Sequence, residues 1–470
     1  MESTKWSFSS FRSPTAFIAF TVTFAVFTDQ FLFAAILPIG PFTLHERLHI
    51  PEDKVQFWIA ILLAVFGIGC FVTAGPWGWY TDRSTSRRTP FLIGLSILLG
   101  ATLVLWFSQH IALQILGRAL QGFSSLVVWA TGLAVLVDTV GCKHIGEYMG
   151  YIGIALNMGS LVAPMVGGVV FAQAGYNAVF GVVTAVVGLD ILFRLIMKEK
   201  TPSETTSVAP LQDDLESGSP DIKEKEKTVV TIETISQSSS PSTSTLDLTT
   251  TTPSRRHLPP VIRLLNSLRF CVAIWGVFVI SCVFSAFQAV LPMAVKTVFG
   301  WNSTGSGLIF LPLSLPALLG PIVGRMTDRY GGRWFATAGF VLLGIAVTML
   351  RAVEYNSRSQ QVLLCVLLFL CGCCMTLVLE PLAAEVTHGA ARLDAKDKEM
   401  GIESAGSYGQ SYALFNMAWA AGNSTGPVWG GILLDAAGWN AMALSLGLLG
   451  FLSAVPVALC LDGWMFEKKF

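Results

Sequence analysis

Charge is what this sequence lacks most. Only 13% of its 470 residues are Asp, Glu, Lys or Arg, about half the usual share of a soluble domain. Apolar residues make up 53%, and the mean hydropathy is +0.62. A chain so poor in charge cannot cover a water-facing surface. That excludes an ordinary soluble enzyme, a disordered protein and a nucleic-acid binder. Net charge is missing too: Lys plus Arg and Asp plus Glu stand at 30 each, so no long-range field recruits a charged partner. A disulfide framework is also absent. Most of the nine cysteines lie in apolar stretches (Cys70, Cys271, Cys282, Cys365, Cys371, Cys373, Cys374 and Cys460), where small residues pack between helices. The Cys371-Gly372-Cys373-Cys374 cluster has no histidine near it in sequence, so no metal is expected there. The six histidines (His45, His49, His110, His144, His257 and His388) are scattered, and none pairs at ligand spacing. No nucleophile–base pair is recognisable. The chain does not read as an enzyme, and no cofactor is expected. The first apolar stretch is too long for a cleavable signal and runs on into Pro38 and Pro41.

What is there is a series of long apolar stretches, near 15–39, 56–80, 90–108, 111–137, 147–171 and 176–197, then 268–295, 303–326, 334–352, 360–387, 405–434 and 439–463. A bilayer span needs about 20 apolar residues, and in lipid such runs must be helices. Residues 198–262 differ: they are polar and rich in Ser, Thr and Pro, the composition of a disordered linker. Setting those 65 residues aside leaves 405, about 34 per span for twelve spans. The predicted organisation is an N-terminus at 1–14, a six-helix bundle at 15–197, the linker at 198–262, a second six-helix bundle at 263–463 and a C-terminus at 464–470. The fold class is an all-α membrane protein with twelve transmembrane helices in two six-helix pseudo-repeats. If the loops alternate sides, 24 Lys and Arg fall on the side of both termini (Arg194 counted among them) and five on the other: Arg47, Lys54, Lys296, Arg351 and Arg358. The excess of basic residues places termini and linker in the cytoplasm. The expected location is the plasma membrane or a vacuolar or vesicular membrane.

The two halves repeat. At a constant offset of 263, Gly159 meets Gly422, Pro164 meets Pro427, and Gly167-Gly168 meets Gly430-Gly431. Ala174-Gly175-Tyr176-Asn177-Ala178 meets Ala437-Gly438-Trp439-Asn440-Ala441. A parallel duplication places a cleft between the halves near the bilayer midplane, open to one side at a time as the halves rock. These glycines and prolines are read as sites of tight helix packing or as a hinge and seal. A second pair supports the duplication. Gly78, Asp82 and Arg83 end the second stretch, and Gly324, Asp328, Arg329 and Arg333 end the eighth. The spacing reads as a conformational latch in which the aspartate faces a helix N-terminus.

These residues resemble the major facilitator superfamily over nearly the whole chain except the linker. Gly78-x-x-x-Asp82-Arg83 and its copy at Gly324 match the superfamily's loop signature, although Ser84-Thr85-Ser86 departs from it. Arg118-Ala-Leu-Gln121-Gly122 matches its RxxQG motif, and Gly159 through Gly168 looks like the helix-five signature of drug:proton antiporters, with Ala163 as a departure. The chain is most similar to vesicular amine transporters and their microbial multidrug-efflux relatives, through Thr28-Asp29-Gln30, Ile36-Leu37-Pro38-Ile39 and Tyr412 to Asn416. Gln288 and Asn416 stand where those amine carriers have acidic residues. The resemblance implies proton-coupled efflux of a small organic molecule by alternating access. A proton symporter or uniporter importing a solute, or a receptor on a transporter fold, are the alternatives.

A charge at membrane depth costs at least about 2.5–3.5 kcal/mol on insertion scales and so marks function. Four residues are read this way: Asp29, Arg118, Glu380 and Glu385. Asp29 is the first choice for carrying a proton, with Arg118 and Gln121 holding or sensing it and Glu380, before Pro381, as a further coupling candidate. Glu385 and Asp138 read as edge partners of basic loops. Gln30, Asn157, Gln288, Asn416, Trp129, Trp419 and Phe287 are the candidates for lining a substrate cleft. Asn302-Ser303-Thr304 is a glycosylation sequon on the external side. The expected partners are a small organic substrate, protons and the lipid bilayer, with the chain acting as a monomer and without nucleic acid.

Overall fold

The computed structural model describes residues 14–83, 88–140, 145–197, 260–399 and 407–462. Among the described residues every regular element is helical: α1 (Pro14–Ala35), α2 (Gly40–Glu46), α3 (Glu52–Arg83), α4 (Arg88–Phe107), α5 (Ile111–Val140), α6 (Ile145–Ile196), α7 (Pro260–Leu265), α8 (Leu268–Phe299), α9 (Ser303–Leu308), α10 (Phe310–Ser314), α11 (Gly320–Tyr330), α12 (Gly332–Met349), α13 (Arg358–Glu399) and α14 (Ser407–Cys460). Ten of the described helical segments are long and apolar enough to cross a membrane. The predicted linker lies outside the described residues, except that α7 begins three residues inside its predicted end.

Two of the ten segments are long enough to cross twice. The apolar part of α6 has 47 residues and that of α14 has 52, about 70 Å and more of helix at 1.5 Å per residue. Each is broken at one glycine with a left-handed φ, Gly175 (φ 77°) and Gly438 (φ 79°), a conformation that costs a residue without Cβ little. The two lie at the repeat offset of 263. The chain folds back at the break in α14: Trp429 Nε1 donates to Ser445 Oγ at 3.2 Å, although sixteen residues of straight helix span about 24 Å. The residue after each break anchors its hairpin in the same way. Tyr176 Oη donates to the carbonyl of Leu105 at 2.6 Å, and Trp439 Nε1 to that of Leu350 at 2.8 Å. Leu105 and Leu350 close the helices α4 and α12, so both halves repeat the tie as well as the sequence.

Two stretches depart from a simple helix. The eighth apolar run breaks into α9, α10, a 3-10 turn at Leu315–Leu319 and α11, because Pro312, Pro316 and Pro321 each remove a backbone donor. In contrast, α13 continues twelve residues beyond the predicted end at 387, to Glu399. Its polar extension, Ala-Ala-Arg-Leu-Asp-Ala-Lys-Asp-Lys-Glu, consists mostly of good helix formers. Ion pairs pin that extension: Arg392 meets Glu385 on the same helix, and Arg263 of α7 meets Asp397.

In the N-terminal half α1 packs on α5 and α6, α3 on α5, and α4 on α5 and α6. In the C-terminal half α8 packs on α13 and α14, and α12 on α13 and α14. The halves meet through α3 against α14 and α6 against α9. The helix α12 starts against the chain's last described residues: Asp462 Oδ2 accepts the Arg333 backbone N–H at 2.9 Å, and Arg333 Nε donates to the Leu461 carbonyl. Asp462→Ala leaves that helix-terminal donor uncapped. We expect a loss of about 0.5–2 kcal/mol in thermal unfolding of the detergent-solubilised protein. An unchanged melting curve removes this cap from the account.

Candidate functional site

The carboxyl of Asp29 is buried inside the N-terminal half, 4% exposed. It sits midway along α1, and α5 brings two donors to it from one face, four residues apart. Ser125 Oγ donates to Asp29 Oδ2 at 2.7 Å, and Trp129 Nε1 to the same oxygen at 3.3 Å. Asp29 Oδ1 has no hydrogen-bond partner and no exposure. Leaving such an oxygen unpaired in an apolar interior is costly, and no cation offsets it: no ion pair to Asp29 occurs among the described residues. Arg118, also 4% exposed, instead donates from Nη1 to Gln121 Oε1 at 2.9 Å, one turn along α5. Its guanidinium lies 5.9 Å from the centre of the Phe33 ring. Arg118 and Gln121, expected to hold or sense the Asp29 proton, bond to each other, and the donors that touch Asp29 are Ser125 and Trp129. Gln30 packs beside this group against Gly159 of α6.

The glycine pairs divide their labour. A Cβ at Gly167 would overlap the backbone of Ala35 in α1, within its own half, whereas one at Gly168 would overlap the Ser303 carbonyl of α9, across the interface. The C-terminal copy repeats this. Gly430 packs on Ala286 of α8 in its own half at 3.0 Å, and Gly431 on Ala60 of α3 in the other half at 2.7 Å, distances measured from an added Cβ. Further cross-links gather at the same end of the molecule, where α1 leads into α2 and α8 into α9. Ser303 Oγ donates to the Gly168 carbonyl at 3.1 Å, Gln56 Nε2 donates to the Ala289 carbonyl at 3.3 Å, and Lys296 stands 3.7 Å from Glu52. Gly307 rests against the Pro164 carbonyl and Gly67 against Ser424. The two halves are thus in close contact at the α2 end, through glycines packed on the opposite half and side-chain cross-links. Gly159 and Gly422 lie in the interiors of the two halves, on α1 and α8, as Gly426 also does. Pro427 is inside the first arm of α14.

The residues expected to form the latch fare unequally. The helix α3 runs through Gly78, Asp82 and Arg83, but their side chains lie outside the described residues, as does that of Asp138. In the second copy Asp328 and Arg329 are exposed, and Arg329 leans over Tyr330 at 5.4 Å. Among the described latch residues, Arg333 ties α12 to the end of α14. Gly320 faces Glu380 of α13, whose half-buried carboxyl occupies the space a side chain would take there, and Gly324 lies at ordinary contact distance from the same carboxyl. Glu380 therefore belongs with the second latch motif and far in the chain's packing from Asp29. Glu385 is buried, not at an edge, yet it does meet a basic partner, Arg392.

Of the candidates for the cleft, Trp129 touches Asp29. Asn157 Nδ2 reaches across to the Ala317 carbonyl at 3.4 Å. Asn416 and Trp419 are half-buried on α14, and the Trp419 carbonyl accepts from Ser281 Oγ at 2.6 Å. Gln288 is 3% exposed. Phe287, at 0%, is a core residue in this structure and lines no opening. Asn302 caps α9, accepting the Gly305 N–H at 3.1 Å, and its sequon neighbour Ser303 is buried on Gly168.

The Major Facilitator Superfamily family model matches residues 19–320 and 273–464. The chain belongs to the Major Facilitator Superfamily. It is 32% identical over 450 residues to an uncharacterised transporter of that type from Schizosaccharomyces pombe, covering 96% of each chain. It is 24% identical over 424 residues to the vesicular acetylcholine transporter of Rattus norvegicus, covering 88% of this chain and 68% of that one. Its fold is similar to the crystal structure of a human organic anion transporter, with TM-score 0.59 and 16% identity over 95% of this chain and 100% of the other. It is therefore a multi-pass membrane transporter.

The chain holds two further charges that the hydropathy pattern hides. Asp190 and Arg194 lie in the second arm of α6, both buried. Arg194 is counted above with the basic loop, and burial corrects that: its guanidinium stacks 3.3 Å from the centre of the Phe91 ring. Their four-residue spacing within an apolar run was the available signal. Ser125, a small residue among apolar ones, gave none.

Proposed function

We propose that this transporter is a proton-coupled exporter of a small amphipathic organic molecule, exchanging protons for substrate by alternating access. The observation that carries the reading is the Asp29 carboxyl, buried at mid-helix with one oxygen held by Ser125 and Trp129 and the other unpartnered. A group in that setting accepts a proton when its half of the molecule faces one compartment and releases it to the other. The paired seals of Gly168 on α9 and Gly431 on α3 give the rocking motion a closed end. With both termini cytoplasmic, as the basic residues favour, that closed end is external. Glu380 of α13, set against Gly320 of α11, biases the motion of the C-terminal half. A mostly apolar interior with a few polar groups such as Asn157 and Asn416 suits an amphipathic ligand. The absence of acids at Gln288 and Asn416 removes two of the groups that would attract an organic cation. The helix-five resemblance favours export over the symport and uniport alternatives.

The test is uptake into inside-out vesicles carrying the full chain, with candidate compounds first chosen by a growth screen in a strain lacking other pumps. An inside-acidic gradient is expected to drive accumulation, and a protonophore to abolish it. Uptake that ignores the gradient points to a uniporter and overturns the coupling.

A further inference from the structure

Asp190 and Arg194 stand four residues apart on α6, with side chains 0% and 1% exposed and Arg194 Nε 3.8 Å from Asp190 Oδ1. Neither Asp190 oxygen has a hydrogen-bond partner, and Arg194 Nε and Nη1 have none. Arg194 Nη2 donates to the Thr21 carbonyl of α1 at 3.2 Å. A buried ion pair offsets its desolvation only with good hydrogen bonds on both partners, and here the carboxylate has none. A purely structural bridge is therefore a poor account of the pair. Its place is informative. Arg194 meets α1 at Thr21, eight residues or about 12 Å along the helix from Asp29, and Asp190 lies one turn of α6 from Arg194. Two buried carboxyls with three oxygens that accept no hydrogen bond thus share the interior of one half, and a carboxyl left in that state is less costly when it carries a proton.

We propose that Asp190 is a second proton-binding carboxyl of the transport cycle, exchanging its proton with Asp29 and held in place by Arg194. The proposal rests on the proton-coupled reading above. In the transfer the O–H bond on Asp29 breaks as one forms on an unpartnered Asp190 oxygen, with water as carrier and no electrons exchanged. From Asp190 the proton passes to water at the end of the molecule where α6 terminates. Among the described residues, the charged groups facing Asp190 are Arg194 on its own helix and Asp29 from α1. The neighbouring α4 presents Phe91, which does not titrate. On α5, Arg118 lies seven residues, about 10 Å, beyond Ser125 and is engaged with Gln121.

The experiment uses the reconstituted full chain as wild type, Asp190→Asn, and the neutral double variant Asp190→Asn with Arg194→Gln. Infrared difference titration reads the carboxyl stretch, and a pH-gradient assay reads accumulation. The wild type is expected to show a titrating carboxyl band that both variants lose, and to accumulate substrate about tenfold per pH unit for each exchanged proton. Both variants should fall to about onefold. The double variant leaves neither member of the Asp190–Arg194 pair charged without its partner, so its folding is spared, and its failure to accumulate marks the carboxyl as functional. Wild-type accumulation by the double variant, or a band unchanged by Asp190→Asn, overturns the proposal. If the wild type itself shows no gradient-driven accumulation, the transport reading fails, while the infrared band still decides whether Asp190 binds a proton.

Discussion

Asp29→Asn vesicles should equilibrate their substrate and never concentrate it. One pH unit is worth about 1.4 kcal/mol per proton, so a wild-type exchanger of one proton for one substrate sustains about a tenfold concentration ratio. The asparagine keeps the shape of the side chain, and its amide oxygen still accepts from Ser125 and Trp129, the two donors that hold Oδ2 now. Folding is therefore expected to survive, and only the exchangeable proton is lost. Downhill substrate exchange should continue in the same vesicles. Trp129→Phe is the milder companion: it removes one donor at 3.3 Å and should shift the pH dependence of transport without abolishing the concentration ratio. Full gradient-driven accumulation by Asp29→Asn would remove the carboxyl from the cycle.

The second large effect separates two adjacent residues. Gly168→Leu drives a side chain into the backbone of α9 at Ser303, across the interface between the halves. Overpacking of this kind costs about 1–3 kcal/mol, and here the cost falls only on the state sealed at the α2 end. A shift of that size changes the ratio of closed to open molecules by about 5- to 150-fold. Transport should drop by a comparable factor while the protein melts as before, and Gly431→Leu should behave alike because it faces α3 of the other half. Gly167→Leu is expected to fail differently. Its side chain meets Ala35 of α1 within one half, so the melting temperature falls in every state. The checks are a thermal melt and modification, by a membrane-impermeant thiol reagent, of a cysteine placed at Gln56, which is buried where the halves meet. Gly168→Leu should raise that reactivity and leave the melt unchanged. Equal melting losses in the two variants would show that the pair is simply packing.

Much of this was legible in the sequence because duplication leaves its own ruler. The gaps between the apolar stretches at 171–176 and 434–439 bracketed both hairpin breaks, and the offset of 263 that pairs Gly175 with Gly438 tied one to the other, in keeping with the two arms of α6 and of α14. The same offset paired Gly167-Gly168 with Gly430-Gly431. What it left open was direction. Whether a glycine faces its own half or the other depends on the rotation of the helix about its axis, a quantity fixed by tertiary packing. Asp29 stood out because a lone carboxylate in an apolar run is expensive. Its partner Ser125 did not, since a serine in a membrane helix costs little and is common. Asp190 and Arg194 were masked for another reason: they lie near the end of the sixth apolar run, where a polar segment follows and charges are expected. The fragmentation of the eighth run at Pro312, Pro316 and Pro321 was readable from those prolines. The extension of α13 to Glu399 was not, because hydropathy ends where the membrane does and the helix need not.

The central claim is that the two halves close one end of the molecule as they open the other. Spin labels on Asp53 and Thr297 report the α2 end, where α3 and α8 carry the Glu52–Lys296 contact at 3.7 Å. Labels on Tyr151 of α6 and Met326 of α11, both exposed, report the opposite end. Distances at the two ends should be measured in lipid across a pH series, with and without substrate. The account predicts opposed changes: as the first distance lengthens the second shortens, and Gly168→Leu holds the molecule in the form open at the α2 end. Two distances that stay fixed while substrate crosses the membrane, or that lengthen together, would contradict it.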